Sequence, residues 1–176
     1  MSVETSDLDE AREVCGEHLY PRSMRLTDPS ASLAARFAFL HLGALTVADV
    51  AYGAGVAGDC GEFGSYHVNI VLGGTFAAEQ GRRPIHGSVQ QAGVYRPVGD
   101  NVLHHSSADC HLLAVRLDKA AVEGQLAMLL DAPVRGTVRF GGQLDVSRSP
   151  GRHCAGLIRF LASEMDNPTG LVFHPI

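Results

Sequence analysis

The chain has 176 residues, 45% of them hydrophobic and 19% charged, with a formal net charge of −5. That is enough for one domain with a substantial core, and the balance is that of a globular protein, not a disordered one. Basic residues are sparse: Arg82-Arg83 and the Arg22/Arg25 neighbours form no basic face to neutralise phosphates, which argues against direct DNA binding by this chain. The acidic start MSVETSDLDEAREV lacks the apolar stretch of a signal peptide, and no apolar run nears the roughly 20 residues that span a bilayer. A cytoplasmic protein with no membrane partner is expected. Cys15, Cys60, Cys110 and Cys154 form no C-x-x-C pair, so they read as buried free thiols in a reducing compartment.

In chain order, Ser6 with Asp9 reads as a capping box opening a helix whose apolar positions are Leu8, Ala11, Val14, Cys15 and Leu19, closed by Pro21. After the turn at Asp28-Pro29-Ser30 the pattern becomes strand-like. LAARFAFLHL, ALTVADVAY, FGSYHVNIVL, TFAAEQ, RPIHGSVQQ, GVYRP and HLLAVRL follow one another, separated by glycine-bearing turns. The glycine-rich stretch from Ala51 to Gly58 imitates a phosphate loop, but no helix follows it, and it reads as a turn. Beyond the turn-type cluster Ser106-Ser107-Ala108-Asp109 lies the strand His111 to Leu117. Asp118 then stands where an N-cap belongs, before a helix with Val122, Leu126, Leu129 and Leu130 on one face that stops before Pro133. A last helix is expected from Ser149 as N-cap and Pro150 as first residue, with Cys154, Leu157, Ile158, Leu161 and Met165 on its apolar face and Pro168 at its end.

Many short strands with regular glycine punctuation argue for an antiparallel sandwich or barrel, and a cupin-like jelly roll, a double-stranded β-helix, meets the description. The expected fold is mainly β with flanking helices, a single domain over 1–176. Its barrel spans about 22–117, and a helical dimerisation part about 118–167. The two C-terminal helices are expected to pack on the barrel in part. Phe160 widens the stripe of the last one, so Leu157, Phe160, Leu161 and Met165 form a face wider than packing within one chain needs.

The run Ser107 to Leu130, with SADC, a hydrophobic strand ending in Arg116-Leu117 and an Ala/Leu helix, resembles the last barrel strand and first helix of the AraC-type regulator effector domain. Tyr66 to Gly74 resembles that family's central strand and turn, and Arg139-Phe140, Ser149-Pro150-Gly151 and LIRFLASEM its C-terminal portion. The resemblance implies a cupin-like sensor for a small-molecule effector that is not an enzyme. It also implies a homodimer formed through the helices, with Leu157, Phe160, Leu161 and Met165 as the candidate interface. Such regulators continue into paired helix-turn-helix units, whereas this sequence stops at LVFHPI. DNA would then be reached only through a domain missing from this chain.

The residues themselves leave several sites open. Enzymatic cupins carry His-x-His and a following Glu. Here His67-Val68-Asn69 has one imidazole, and His104 and His105, adjacent on a strand, would face opposite ways. A metal is therefore not expected, with His67, Glu79 and His104 the least implausible ligands, and no cofactor is implied. No serine or cysteine sits in a nucleophile elbow, since Gly64-Ser65-Tyr66 and Gly87-Ser88-Val89 lack the second glycine. Catalytic residues are not expected. Alternation puts Tyr66, Val68, Ile70 and Leu72 on one face of their strand and His67, Asn69 and Val71 on the other. One face must look inward and alternation does not settle which; the apolar set is the natural core face, which would leave His67 and Asn69 facing solvent or another element. The candidate ligand-binding residues are Tyr66, Tyr95, Arg96, His104, His111 and Arg116, the last able to grip a carboxylate or to pair at a sheet edge. A stand-alone metal-dependent cupin enzyme is the alternative reading, and a ligand-free oligomerisation module the third.

Overall fold

The computed structural model describes residues 1–165. Two antiparallel sheets face each other as the expected jelly roll. The larger contains β1 (Ser2–Thr5), β3 (Ala35–Leu42), β4 (Leu45–Ala51), β6 (Tyr66–Gly73), β9 (Gln91–Tyr95), β11 (His111–Leu117) and β12 (Gln143–Asp145), in the order β1-β3-β4-β11-β6-β9-β12. The smaller contains β2 (Arg25–Leu26), β5 (Val56–Glu62), β7 (Phe76–Gln80), β8 (Arg83–Gly87) and β10 (Asp100–Ser106), in the order β2-β5-β10-β7-β8. Helix α1 (Leu8–His18) precedes the barrel, and α2 (Lys119–Leu130) and α3 (Gly151–Ser163) follow it.

The register of the large sheet explains why the barrel is hollow. On its outer face Val47, Val115, Val68 and Val94 stand side by side across β4, β11, β6 and β9. One residue along, the inner row is Ala48, Ala114, Asn69 and Gly93. Bulky β-branched residues outside support the sheet, and small ones inside leave space. Glycine is required at the far wall: a Cβ on Gly87 would lie 1.9 Å from Phe76 Cε1, and one on Gly93 2.7 Å from Phe76 Cζ. Phe76 thereby settles flat as part of the barrel lining.

Three apolar clusters hold the fold. Ala11, Cys15 and Leu19 of α1 pack on Phe37, Phe39, Ala48 and Val50, inside the large sheet. Val71, Phe76, Ala78, Ile85 and Tyr95 fill the other end of the barrel. On the outside of the large sheet, Val47, Ile70, Leu113 and Val115 are covered by Ala155 and Ile158 of α3.

Several local expectations are corrected. The α1 cap is Asp7, not Ser6: its Oδ1 accepts from the backbone N–H of Asp9 at 2.7 Å and of Glu10 at 3.1 Å. The stretch after Ala51 is a turn only as far as Gly55, for Val56 already opens β5. Strand β10 has polar residues on both faces and a register shift between Leu103 and His105, which hides its alternation and leaves both histidines exposed. Strands β1 and β12 lie outside the expected barrel limits and join the large sheet at its two edges. Asp118 caps α2 as expected, accepting from the Ala121 N–H at 2.9 Å. Helix α3 starts at Gly151 with Pro150 as its N-cap and no side-chain capping hydrogen bond, so Ser149 does not cap it. Pro168 and the LVFHPI end lie outside the described residues.

The two C-terminal helices differ sharply in anchorage. Helix α3 buries Gly151, Ala155 and Ile158, while α2 buries no residue fully and packs on the barrel only in part. Its apolar residues do not concentrate on one side. Val122 and Leu126 are half-buried, whereas Leu129 and Leu130 are 74% and 61% exposed.

Candidate functional site

The space between the sheets forms a cavity of about 60 Å³, measured as room for the centres of water molecules. A single water needs about 10–15 Å³ on that measure, so the cavity has room for several waters or a compact organic molecule. Its apolar lining includes Leu19, Val50, Phe63, Phe76, Leu103 and Leu112. The polar groups facing it are Arg22, Tyr52, His67, Asn69, Tyr95 and Asn101, together with Tyr20 and Ser106. Among the described residues no Asp or Glu lines it.

His67 lies at the centre of an aromatic cage. Its ring centroid is 5.4 Å from that of Tyr20, 5.0 Å from Phe63 and 5.6 Å from Tyr95. Nε2 lies 2.7 Å from Asn69 Oδ1, an arrangement in which Nε2–H donates to the amide oxygen. Nδ1 is buried with no hydrogen-bond partner. Burial in this cage pushes the imidazole pKa down to about 4; the Asn69 hydrogen bond acts against that shift, and the positive charges of Arg22 and Arg116 add to it. His67 is therefore neutral at physiological pH. Tyr95, beside Asn69, is held well above the usual phenol range chiefly by burial.

Arg22 enters from the segment between α1 and β2. Its Nη1 donates to Tyr52 Oη at 2.8 Å, and its Nε is shut off from solvent without a partner. Burial alone would weaken its charge, but the surrounding Tyr52, Cys15, Cys60 and Tyr95 outweigh that and hold the guanidinium above its usual range. Tyr52 is raised far above the phenol range by burial and stays neutral. The cavity thus contains one fixed positive charge, one free imidazole acceptor and a mostly apolar wall.

The structure brings only one of the expected ligand residues into this space, Tyr95. Tyr66 faces outward, where its hydroxyl donates to Glu123 Oε1 of α2 at 2.9 Å and accepts from the Val138 N–H at 2.7 Å. Burial and Glu123 together raise its pKa to about 12. Arg96 lies outside the cavity lining, its backbone held on both sides by the Gln80 amide at 2.8 and 2.9 Å. His104 is exposed, 3.9 Å from Glu79. His111 points outward and meets Asp49 Oδ1 at 2.7 Å. Arg116 is not at a sheet edge, because β11 is a central strand. Its guanidinium lies at the barrel mouth, 5.6 Å from the Tyr20 ring centroid. His67, Glu79 and His104 are not brought together, since His67 is inside and the other two outside. Among the described residues no group of three metal-ligating side chains converges.

The structure decides the facing of β6, which alternation left open. Its polar set His67, Asn69 and Val71 looks inward, and its apolar set Tyr66, Val68, Ile70 and Leu72 looks outward. The apolar face is a core face as expected, but that core lies beneath α3, on the outside of the barrel. A sheet covered on both sides makes polarity a poor guide to direction. Arg22 and Tyr52 were not expected in the site at all. The available signal was an arginine directly after the helix-closing Pro21.

Of the expected interface residues, Leu157 and Phe160 are exposed on α3, at 61% and 52%. Leu161 and Met165 are half-buried against the barrel with Ala155 and Ile158, so they belong to the intramolecular face. Met128, Leu129 and Leu130 of α2 add further exposed apolar surface.

Comparison with known proteins adds three findings. The profile of the AraC-binding-like domain family matches residues 11–176. The chain is 30% identical over 175 residues to a probable thc operon regulatory protein of Rhodococcus erythropolis, covering 98% of this chain and 53% of that protein. It thus spans about half the length of the curated relative it matches. In structure it resembles the AraC-like transcriptional activator CuxR, with a TM-score of 0.72 at 13% identity, covering 98% of this chain and 64% of that one.

Proposed function

The chain belongs to the AraC-binding-like domain family, and from that premise we propose that it is the effector-sensing half of a transcriptional regulator. DNA is contacted by a separate helix-turn-helix domain. The observation that carries the reading is the enclosed cavity with its aromatic cage around His67 and its arginine without a carboxylate. A protein built only to oligomerise gains nothing from keeping such groups inside. The role is binding, not catalysis: the cavity presents no nucleophile beside a general base, and its one imidazole is occupied by Asn69 on one side.

A sensor must bind its ligand with different affinity in two arrangements of the protein. The two faces of β6 supply the link. His67 faces the ligand space, and the adjacent Tyr66 holds α2 through Glu123 and the following segment through Val138. A ligand that shifts the His67 ring displaces the backbone that carries the Tyr66 hydroxyl, and α2 has no buried side chain to resist. The loosely held α2 and the exposed Leu157 and Phe160 of α3 then form the surface through which two copies pair.

Native mass spectrometry of the purified chain tests the assignment. One small organic molecule per chain, retained or taken up, supports the sensor. One transition-metal ion per chain without an organic ligand supports the metal-dependent cupin instead.

A further inference from the structure

We propose that the cavity takes a small organic monocarboxylate, with its carboxylate on Arg22 and a hydrogen-bond donor on its body directed to His67 Nδ1. This rests on the reading of the cavity as the effector site, and it specifies the chemical class of the effector.

The argument begins with charge. The ion pairs found among the described residues involve Arg12, Arg148, His18, His104 and His111, and Arg22 is in none of them. Its one side-chain hydrogen bond is to the neutral Tyr52 hydroxyl, and its Nε has no partner. A partly buried guanidinium whose Nε is shut off without an anion is unfavourable, and among the described residues the cavity wall offers no Asp or Glu to pair with it. The missing counter-charge is supplied by the ligand. A planar guanidinium fork matches a carboxylate through two parallel hydrogen bonds.

The remaining features narrow the class. Arg22 is the one charged side chain lining the cavity, because His67 is neutral, so a single negative charge is matched and a second is not. Phe63, Phe76, Leu19, Val50 and Leu112 require an apolar body, which disfavours an inorganic oxyanion. The unpartnered His67 Nδ1 is an acceptor as long as Nε2–H is committed to Asn69, so it favours a ligand hydroxyl or amine.

Phenylacetate, mandelate and their two amides separate these elements. Mandelate adds one hydroxyl to phenylacetate, and each amide keeps the shape while removing the charge. Calorimetric titration of the folded chain should show both acids binding at least about tenfold more tightly than their amides. Mandelate should bind more tightly than phenylacetate. Arg22→Met should abolish the preference for acid, weakening acid binding by roughly thirtyfold or more and amide binding far less. Arg22→Lys, which keeps the charge but not the fork, should recover part of it and covers the case in which the methionine variant does not fold. Amides that bind as well as acids, with perturbed ring resonances of Tyr95 and Phe63, would overturn the carboxylate class and leave the cavity as the effector site. If neither acids nor amides bind and those resonances do not move, the proposed class is refuted. If native mass spectrometry also finds no organic molecule, the sensor reading is lost with it.

Discussion

The two faces of the large sheet have opposite tasks. Its outer face, with Val47, Val115 and Ile70 packed under Ala155 and Ile158, is apolar and carries stability. Its inner face, with Ala48, Ala114, Asn69 and Gly93 in one row, is undersized and bears polar groups. Small inner residues forgo packing energy, and an enclosed imidazole adds a desolvation cost. A barrel optimised for stability alone would place larger apolar residues there. The contrast shows that the hollow is a property of the sequence, written in residue size rather than in polarity.

The largest test concerns the inner face. His67 has a folded pKa near 4 against 6.5 when exposed, so the unfolded chain binds the extra proton first. Stability from this group is complete above about pH 6.5 and is lost as pH falls towards 4, by about 3 kcal/mol at most. His67→Asn should remove that part of the acid slope. Urea unfolding of both proteins between those pH values measures it, and parallel curves would mean that His67 is solvated.

On the outer face, Ile158→Ala should cost about 2–3 kcal/mol at any pH, through the cavity left against Val47 and Val115. A change below 1 kcal/mol would show that α3 is not a structural cover. Tyr66→Phe, also on the outer face, should cost about 1 kcal/mol by removing the bonds to Glu123 and Val138. Hydrogen exchange should speed up in α2 and at the Val138 amide but not in α3. Uniform acceleration in both helices would separate Tyr66 from the control of α2. The smallest effect on stability, within about 0.5 kcal/mol, is expected for Leu157→Glu with Phe160→Glu, because both side chains are exposed. Sedimentation should nevertheless show the variant as a monomer if these residues pair two copies, and an unchanged dimer would assign the interface elsewhere.

The sequence by itself determined the jelly-roll class, most of the strands, the Asp118 cap and the family. Each of these depends on local signals: alternation between glycine turns, a capping carboxylate before a helix, an ordered series of short motifs. Tyr95 was the one cavity-lining residue legible from it. The helix stripe was legible only as a set, since Leu157 and Leu161 read alike until Ala155 and Ile158 fix which side meets the barrel. Tertiary structure decided the rest. It turned His67 and Asn69 inward, because α3 supplies a second core outside the sheet and takes the apolar face of β6 for itself. It brought Arg22 from before the barrel to Tyr52 on the far side of β4, a contact spanning 30 residues. Period-two alternation says which residues share a face, but only the elements packed on each side determine which face is the interior.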